Sequence, residues 1–457
     1  MLKNCSERGF AFRSPCVRYR LLLAAIVSLV SAVAYSAEYI DDEATAPESA
    51  TEISSSMDAI LDEEKERYTP FWRFERGGPF WQDSRVRYNL RGYDFERENE
   101  FVTLSEASAM GGELNFRSGR WRDRLSVEAS WYASFGINAP ADKDGTGLLG
   151  KGQSDLSVIG KAFVELSFGE RRLRLYRQDF NIPYINRNDS RMIPNTHEAY
   201  AFAGGAGEKI EFIAAHVTRI KKRDSEDFIT MAEAAGVTGG SGGTSVAGIR
   251  YSPTENFDVG GMTAYTRNVF NIFYAETNWR RTVNDNWGMQ VSGQYTDQES
   301  VGRDRAGEFS TDTWGVRTAS SYRNGILTIA YTDTDQAAAI RSPFGGRPGY
   351  SDLMLLEFDR AGENALRLSL SYHFGQIGVP GLSFKFSTAK GRDALDPVTG
   401  LGLGDARESD WTIDYRPEQG KFAGLWLRLR TADSNIASPS GDRRDIRLIL
   451  NYTITMF

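Results

Sequence analysis

Leu366-Arg367-Leu368-Ser369-Leu370-Ser371-Tyr372-His373-Phe374 decides the fold, because apolar and polar residues alternate along it without a break. A β-strand turns successive side chains to opposite faces, so the leucines and aromatics share one face and Arg367, Ser369, Ser371 and His373 the other. The pattern recurs along the chain. Val86, Tyr88 and Leu90 oppose Arg85, Arg87, Asn89 and Arg91. Leu125, Val127, Ala129 and Trp131 oppose Arg124, Ser126, Glu128 and Ser130. Ala162, Val164, Leu166 and Phe168 oppose Lys161, Phe163, Glu165 and Ser167. Towards the end, Leu382, Phe384 and Phe386 oppose Ser383, Lys385 and Ser387, and Leu425, Leu427 and Leu429 oppose Trp426, Arg428 and Arg430. Ile446, Leu448, Leu450, Tyr452 and Ile454 then oppose Asp445, Arg447, Ile449, Asn451 and Thr453.

Two architectures produce such strands. In a soluble sandwich the apolar face is a shared core and the polar face meets bulk water. In a transmembrane barrel the apolar face meets lipid and the polar face lines a lumen. Strands of about ten residues, the length a tilted membrane strand needs, favour the barrel. So do aromatics near the strand ends. The last stretch, Asn451-Tyr-Thr-Ile-Thr-Met-Phe457, is an alternating strand ending in Phe and resembles the C-terminal signature of bacterial outer-membrane proteins. Closing the sheet removes the unpaired edge that lipid cannot tolerate. About 390 residues at roughly 21 per strand and turn give an all-β, antiparallel transmembrane barrel of about 18 strands, wide enough for a lumen.

Composition agrees. The chain of 457 residues has 12% aromatics, 45 glycines and two cysteines. Its mean hydropathy is −0.43. Outside the N-terminus no stretch reaches the roughly 18 apolar residues of a spanning helix. A formal charge of −7 argues against an electrostatic grip on nucleic acid.

The first segment sets the compartment. Lys3, Arg8, Arg13, Arg18 and Arg20 precede an apolar run from Leu21 to Ala34, and Ser36 and Ala37 follow. That order reads as a secretory signal over residues 1–37. Cys5 and Cys16 both lie within it, so the exported chain holds no disulfide. Residues 38–67 are acidic and rich in Ser and Thr, and read as a solvated tail. The barrel is expected over residues 68–457.

Long polar, Gly-rich stretches separate the strands: 138–152, 177–200, 220–243, 297–310, 333–351, 392–408 and 433–444. Asn284-Asp-Asn286 and Arg323-Asn-Gly325 read as tight turns. Barrels place long loops outside and short turns inside. The histidines are His197, His216 and His373, with no His-Glu-x-x-His spacing and no paired Cys to hold a metal. Gly204–Gly207 and Gly239–Gly243 lack the Lys-Ser/Thr of a phosphate loop and read as flexible glycines. No catalytic residue and no cofactor is expected.

The polar face is unusually rich in arginine. Arg85, Arg87, Arg91, Arg124, Arg172, Arg174, Arg367, Lys385, Arg428, Arg430 and Arg447 all fall on it. An Arg facing lipid costs on the order of 2–4 kcal/mol at the midplane, so these residues point inward. Two roles are open to them. They can pair with acids such as Glu128 and Glu165 to stiffen the wall. Alternatively they form a ladder of planar cations that hands an anion from site to site.

Two loop segments stand out, Asp144-Gly-Thr-Gly-Leu-Leu149 and Asn188-Asp-Ser-Arg-Met-Ile-Pro194 with Thr196. Both resemble segments of the OprD-type outer-membrane carboxylate channels, the second being similar to that family's constriction-loop motif. Gly378–Phe386, Asp414-Tyr415, Gly424–Arg430 and Asp445–Arg447 resemble the last four family strands in order. The resemblance implies an inward-folded third loop and a basic ladder facing an acidic side. Residue by residue, the ladder falls on Lys385, Arg428, Arg430 and Arg447. The constriction falls on Asn188, Asp189, Ser190, Arg191 and Pro194, and the acidic side on Asp312. His197-Glu198 and the basic run Lys221-Lys-Arg223 depart from the family pattern. The implied partners are outer-membrane lipid and small carboxylates, in a monomer or loose trimer. A general or sugar-selective porin of the same fold is the alternative.

Overall fold

A computed structural model describes residues 79–455 apart from 208, 418, 420–421 and 437–440. The expected signal, the acidic tail and the terminal Phe457 lie outside the described residues.

The wall is built from β1 (Arg85–Asn99), β2 (Val102–Arg117), β3 (Leu125–Asn138), β4 (Leu156–Phe168), β5 (Arg171–Gln178) and β6 (Thr196–Gly205). It continues with β7 (Ile210–Lys221), β8 (Thr244–Thr254), β9 (Phe257–Thr266), β10 (Phe270–Asn284), β11 (Trp287–Ser300) and β12 (Ser310–Tyr322). β13 (Gly325–Thr334), β14 (Asn364–His373), β15 (Leu382–Arg392), β16 (Ala406–Tyr415), β17 (Leu425–Ile436) and β18 (Arg443–Thr455) complete it. Each pairs antiparallel with the next, and β18 returns to β1 from Arg87 opposite Thr455 to Asn99 opposite Arg443. The result is an 18-strand closed antiparallel barrel. Its ends are unequal. Turns such as 169–170, 255–256, 285–286 and 323–324 close one end, while 139–155, 179–195, 222–243 and 335–363 span the other.

Exposure chooses between the two architectures. Leu366, Leu368 and Leu370 are 58%, 44% and 50% exposed, whereas Ser369 between them is 4% exposed. A soluble sandwich would bury the leucines; here the polar residues are enclosed and the apolar ones form the skin. Aromatics ring this skin at both levels. Trp287 pairs with Tyr322 and Phe257 with Trp279 near the tight turns, and Tyr295 pairs with Trp314 towards the loops. Leu368→Arg should lower stability by about 2–4 kcal/mol, as expected for a cation placed among lipid. A denaturant titration in lipid vesicles measures it, and an unchanged midpoint would place Leu368 away from the hydrocarbon.

The packed apolar core lies inside the barrel. Phe180, Ile182, Tyr184 and Ile185 of the segment 179–195 pack on Ala199, Ala201, Ile213, Val217, Val246 and Met262 of the wall. Met192 and Ile193 of the same segment pack with Leu148 and Leu149 on Tyr93, Phe95, Ala107 and Tyr132. One loop therefore crosses the lumen and is seated on both sides. Where it sits, the strands carry apolar residues on both faces.

Candidate functional site

Strand register assembles the basic residues. Lys385 pairs with Thr412, Thr412 with Arg430, Arg430 with Arg447, and Arg447 with Phe95, so one row crosses β15, β16, β17, β18 and β1. Paired residues of antiparallel strands project from the same face, so Lys385, Arg430 and Arg447 share the lumen wall. Arg428 stands two residues before Arg430, on the same face one step along the barrel axis. It is clamped to Asp414, Nε donating to Oδ1 at 2.7 Å and Nη2 to Oδ2 at 2.9 Å. Arg447 donates through Nη2 to Asp445 at 2.6 Å. Among the described residues Arg430 donates only to the Thr412 hydroxyl, at 3.3 Å.

The loop 179–195 faces this row. Asn188, Asp189, Ser190, Arg191 and Pro194 all belong to it. Asp189 is its anchor: Arg91 of β1 donates to both carboxylate oxygens, at 2.6 and 3.1 Å, and Arg187 donates at 3.3 Å. Burial alone would raise Asp189, but Arg91 and Arg187 outweigh it and hold the carboxyl below its usual range. Arg191 donates to the carbonyls of Thr146 and Ser190, at 2.7 and 2.8 Å. Thr146 lies in the Asp144–Leu149 segment, so the two family-like motifs meet in space. Burial, together with the cations Arg447, Arg223 and Arg97, pushes Arg191 down to about 9.

Phe95 collects the guanidiniums. Arg97, Arg191 and Arg447 lie 5.1, 4.9 and 4.7 Å from its ring centroid. An aromatic face attracts a cation, so Phe95 offsets part of the repulsion among the three. Tyr93 beside it donates to the Ser190 carbonyl at 3.4 Å.

The basic run that departs from the family pattern also reaches this loop. Lys221 donates through Nζ to the Pro194 carbonyl at 2.7 Å. Arg223 donates through Nη1 to Asn188 Oδ1 at 3.0 Å and to the Ser190 hydroxyl. His197 is fully enclosed, its ring edge-on to Phe180 at 5.4 Å, and is a packing residue.

The acidic side requires a correction. Asp312 is in phase with the exposed Trp314 and Val316, whereas Thr311 and Thr313 point inward, so strand parity puts Asp312 on the outer face. The loop 335–363 carries further acids into the barrel. Arg347 there binds Asp352, Nε to Oδ2 at 3.0 Å, and Asp359. This loop is pinned to the wall by Glu408, which accepts from the amides of Leu355 and Leu356 at 2.8 and 2.7 Å. It meets the constriction loop where Asn186 donates to the Gly346 carbonyl at 2.6 Å and accepts from its amide at 2.8 Å. Gly345, at φ 159°, permits the approach, because a Cβ would lie 2.6 Å from Asn186 Oδ1.

Burial, reinforced by Glu357 and Asp359, pushes Asp352 up to about 7, and burial with Glu357 and Glu363 pushes Asp359 up to about 6, both despite Arg347. Both therefore take up protons as pH falls through neutrality, and the lumen becomes more positive. Acidification from about pH 8 to pH 5 should move the reversal potential towards anion selectivity. The double variant Asp352→Asn, Asp359→Asn should lose most of that shift. A shift of equal size in the variant would remove these carboxyls from the path.

Not all inward cations are available to a solute. Lys161 binds Glu128 at 2.9 Å and Glu113 at 3.2 Å, and Arg174 binds Glu165 at 2.7 Å. This sector of the wall fits the stiffening role. The residues that sequence reasoning overlooked, Asp179, Arg187, Tyr93, Phe95, Arg347, Asp352 and Asp359, lie in loops or are aromatics on the polar face. The Lys221–Arg223 run was visible, but only its placement gives it a role.

A closed barrel with an apolar skin and a charged lumen narrowed by inward loops is a porin of the outer membrane. The family model for outer membrane porins of the OprD family matches residues 78–456, and the chain belongs to that family. Members of this family are channels, not enzymes. Porin D of Pseudomonas aeruginosa is 24% identical over 426 residues, covering 82% of this chain and 92% of that protein. The P. aeruginosa structure of OccK9 (OpdG) superposes with a TM-score of 0.77 at 22% identity, over 82% of this chain and 99% of that one. P. aeruginosa OpdK with vanillate gives 0.75 at 21% identity, over 82% of this chain and all of the other (100%).

Proposed function

We propose that this porin admits small carboxylate-bearing solutes and that the guanidinium row confers the preference. One observation carries the reading: Lys385, Arg430 and Arg447 stand in a single register row opposite a constriction loop whose Arg191 faces Arg447. A guanidinium keeps its charge and presents a planar fork matched to a carboxylate. Repeated, partly satisfied sites attract the anion while letting it leave, which passive conduction needs. Arg430, bonded only to a hydroxyl, has donors to spare for a passing solute. Asp445 and Asp414 hold Arg447 and Arg428 in place without cancelling the whole basic face. The OpdK relative was solved with vanillate, a small carboxylate, and this supports the same class here.

Swelling of liposomes containing the full barrel tests the reading. Vesicles should swell faster in propionate than in propionamide of equal osmolality, although the amide is neutral and of the same size. Equal rates would return the protein to the general-porin reading.

A further inference from the structure

We infer that the constriction selects solutes carrying two anionic groups, with Arg223 and Arg430 gripping one each beside Arg447. The inference rests on the carboxylate reading above and narrows it to a substrate class. Its basis is an imbalance of partners. Along much of the lumen wall a cation meets a carboxylate: Lys161 meets Glu128 at 2.9 Å, Arg174 meets Glu165 at 2.7 Å, and Arg428 meets Asp414 at 2.7 Å. Around Phe95 the guanidiniums outnumber the acids. Asp445 is shared by two of them, Arg97 at 2.8 Å and Arg447 at 2.6 Å. Arg191, Arg223 and Arg430 bond only carbonyls, hydroxyls and an amide oxygen, and make no ion pair among the described residues.

Each of the three lies near Arg447. Arg191 and Arg447 bracket the Phe95 ring at 4.9 and 4.7 Å, which keeps their charged centres within about 10 Å of each other. Arg447 is within electrostatic reach of both Arg223 and Arg430. Asp410 and Asp224 act on Arg430 and Arg223, yet with Asp445 they remain fewer than the guanidiniums Arg97, Arg191, Arg223, Arg430 and Arg447, and the excess positive charge is more than a monoanion balances. A second anionic group on the same solute balances it without the entropy cost of recruiting another ion.

Arg223 makes this a property of this chain. It belongs to the Lys221–Arg223 run, enters from the loop 222–243, and is fixed by Asn188 and Ser190 of the constriction loop. It is partly exposed, so its remaining N–H groups are open to the lumen. Arg191 is almost enclosed and acts through its field.

Single-channel recording of the full barrel decides the matter, with butyrate, succinate and neutral butyramide as probes. Succinate should interrupt the current at a concentration at least about ten-fold lower than butyrate, the gain of one further charge-assisted contact. Arg223→Gln should weaken succinate block several-fold more than butyrate block and so erase most of that advantage. Arg223→Lys, which keeps the charge, should preserve the preference and controls for a merely structural role. Succinate and butyrate acting equally on the parent would overturn the inference while leaving the carboxylate reading intact. An Arg223→Gln variant that weakens both acids by one factor would overturn it as well. If neither acid differed from butyramide, the carboxylate reading itself would fall.

Discussion

Arg430→Ala should weaken block by a small carboxylate about ten- to hundred-fold and leave its amide analogue unaffected. The magnitude follows from a hydrogen bond to a charged group, about 1.5–3 kcal/mol, at about 1.4 kcal/mol per ten-fold. Arg430 is the cleanest position for this test. Among the described residues its side chain hydrogen-bonds the Thr412 hydroxyl and no carboxylate, and Asp410, which feels its charge, keeps Arg367 and Lys385 nearby. Removing Arg428 or Arg447 would instead deprive Asp414 or Asp445 of a partner, adding a new negative charge to the effect of a missing positive one. The readout is the blocking concentration in single-channel recordings. A variant blocked as readily as the parent would remove Arg430 from the path.

Asp189→Asn should raise single-channel conductance, on the order of two-fold, and blunt discrimination between anions and neutral solutes. Asp189 receives two hydrogen bonds from Arg91 and one from Arg187, and so ties the middle of the constriction loop to β1. An amide keeps the shape but loses the charge, which costs about 2–3 kcal/mol of anchoring for a partly buried pair. Arg91 and Arg187 are then left as extra cations, so the loop is both looser and more repelled by its own wall. The apolar seats of Ile182, Ile185 and Ile193 keep the loop inside the barrel, which is why the change is a widening and not an opening. Conductance identical to the parent would assign the anchoring to those apolar seats alone.

Much of this architecture is legible in the sequence, for reasons particular to certain strands. β1, β3, β4, β14, β15, β17 and β18 alternate cleanly because one face meets lipid and the other a polar lumen. The inward position of Arg428, Arg430 and Arg447 follows from that parity. Between β6 and β10 the alternation blurs, since Ala199, Ile213, Val246 and Met262 point inward to seat a loop while their neighbours point outward to lipid. No local signal distinguishes such strands from buried ones. Asp312 was misplaced because the match to a family acid carried no information about parity; one residue along a strand reverses the face. The loop acids Asp352 and Asp359 were hidden for a different reason. Nothing in 335–363 has a period, and only the pins from Glu408 and Asn186 bring that loop into the lumen. Arg223 lay in a visible basic run, yet a run of charge is ordinarily a solvated face, and only its contacts with Asn188 and Ser190 set it apart.

The central claim is that guanidiniums in the lumen prefer a carboxylate to a neutral solute of equal size. The most direct measurement is single-channel current through the purified full barrel in a planar bilayer, before and after adding propionate or propionamide. The account predicts interruption or displacement of the current by propionate alone. Currents indifferent to both, or disturbed equally by both, would contradict it.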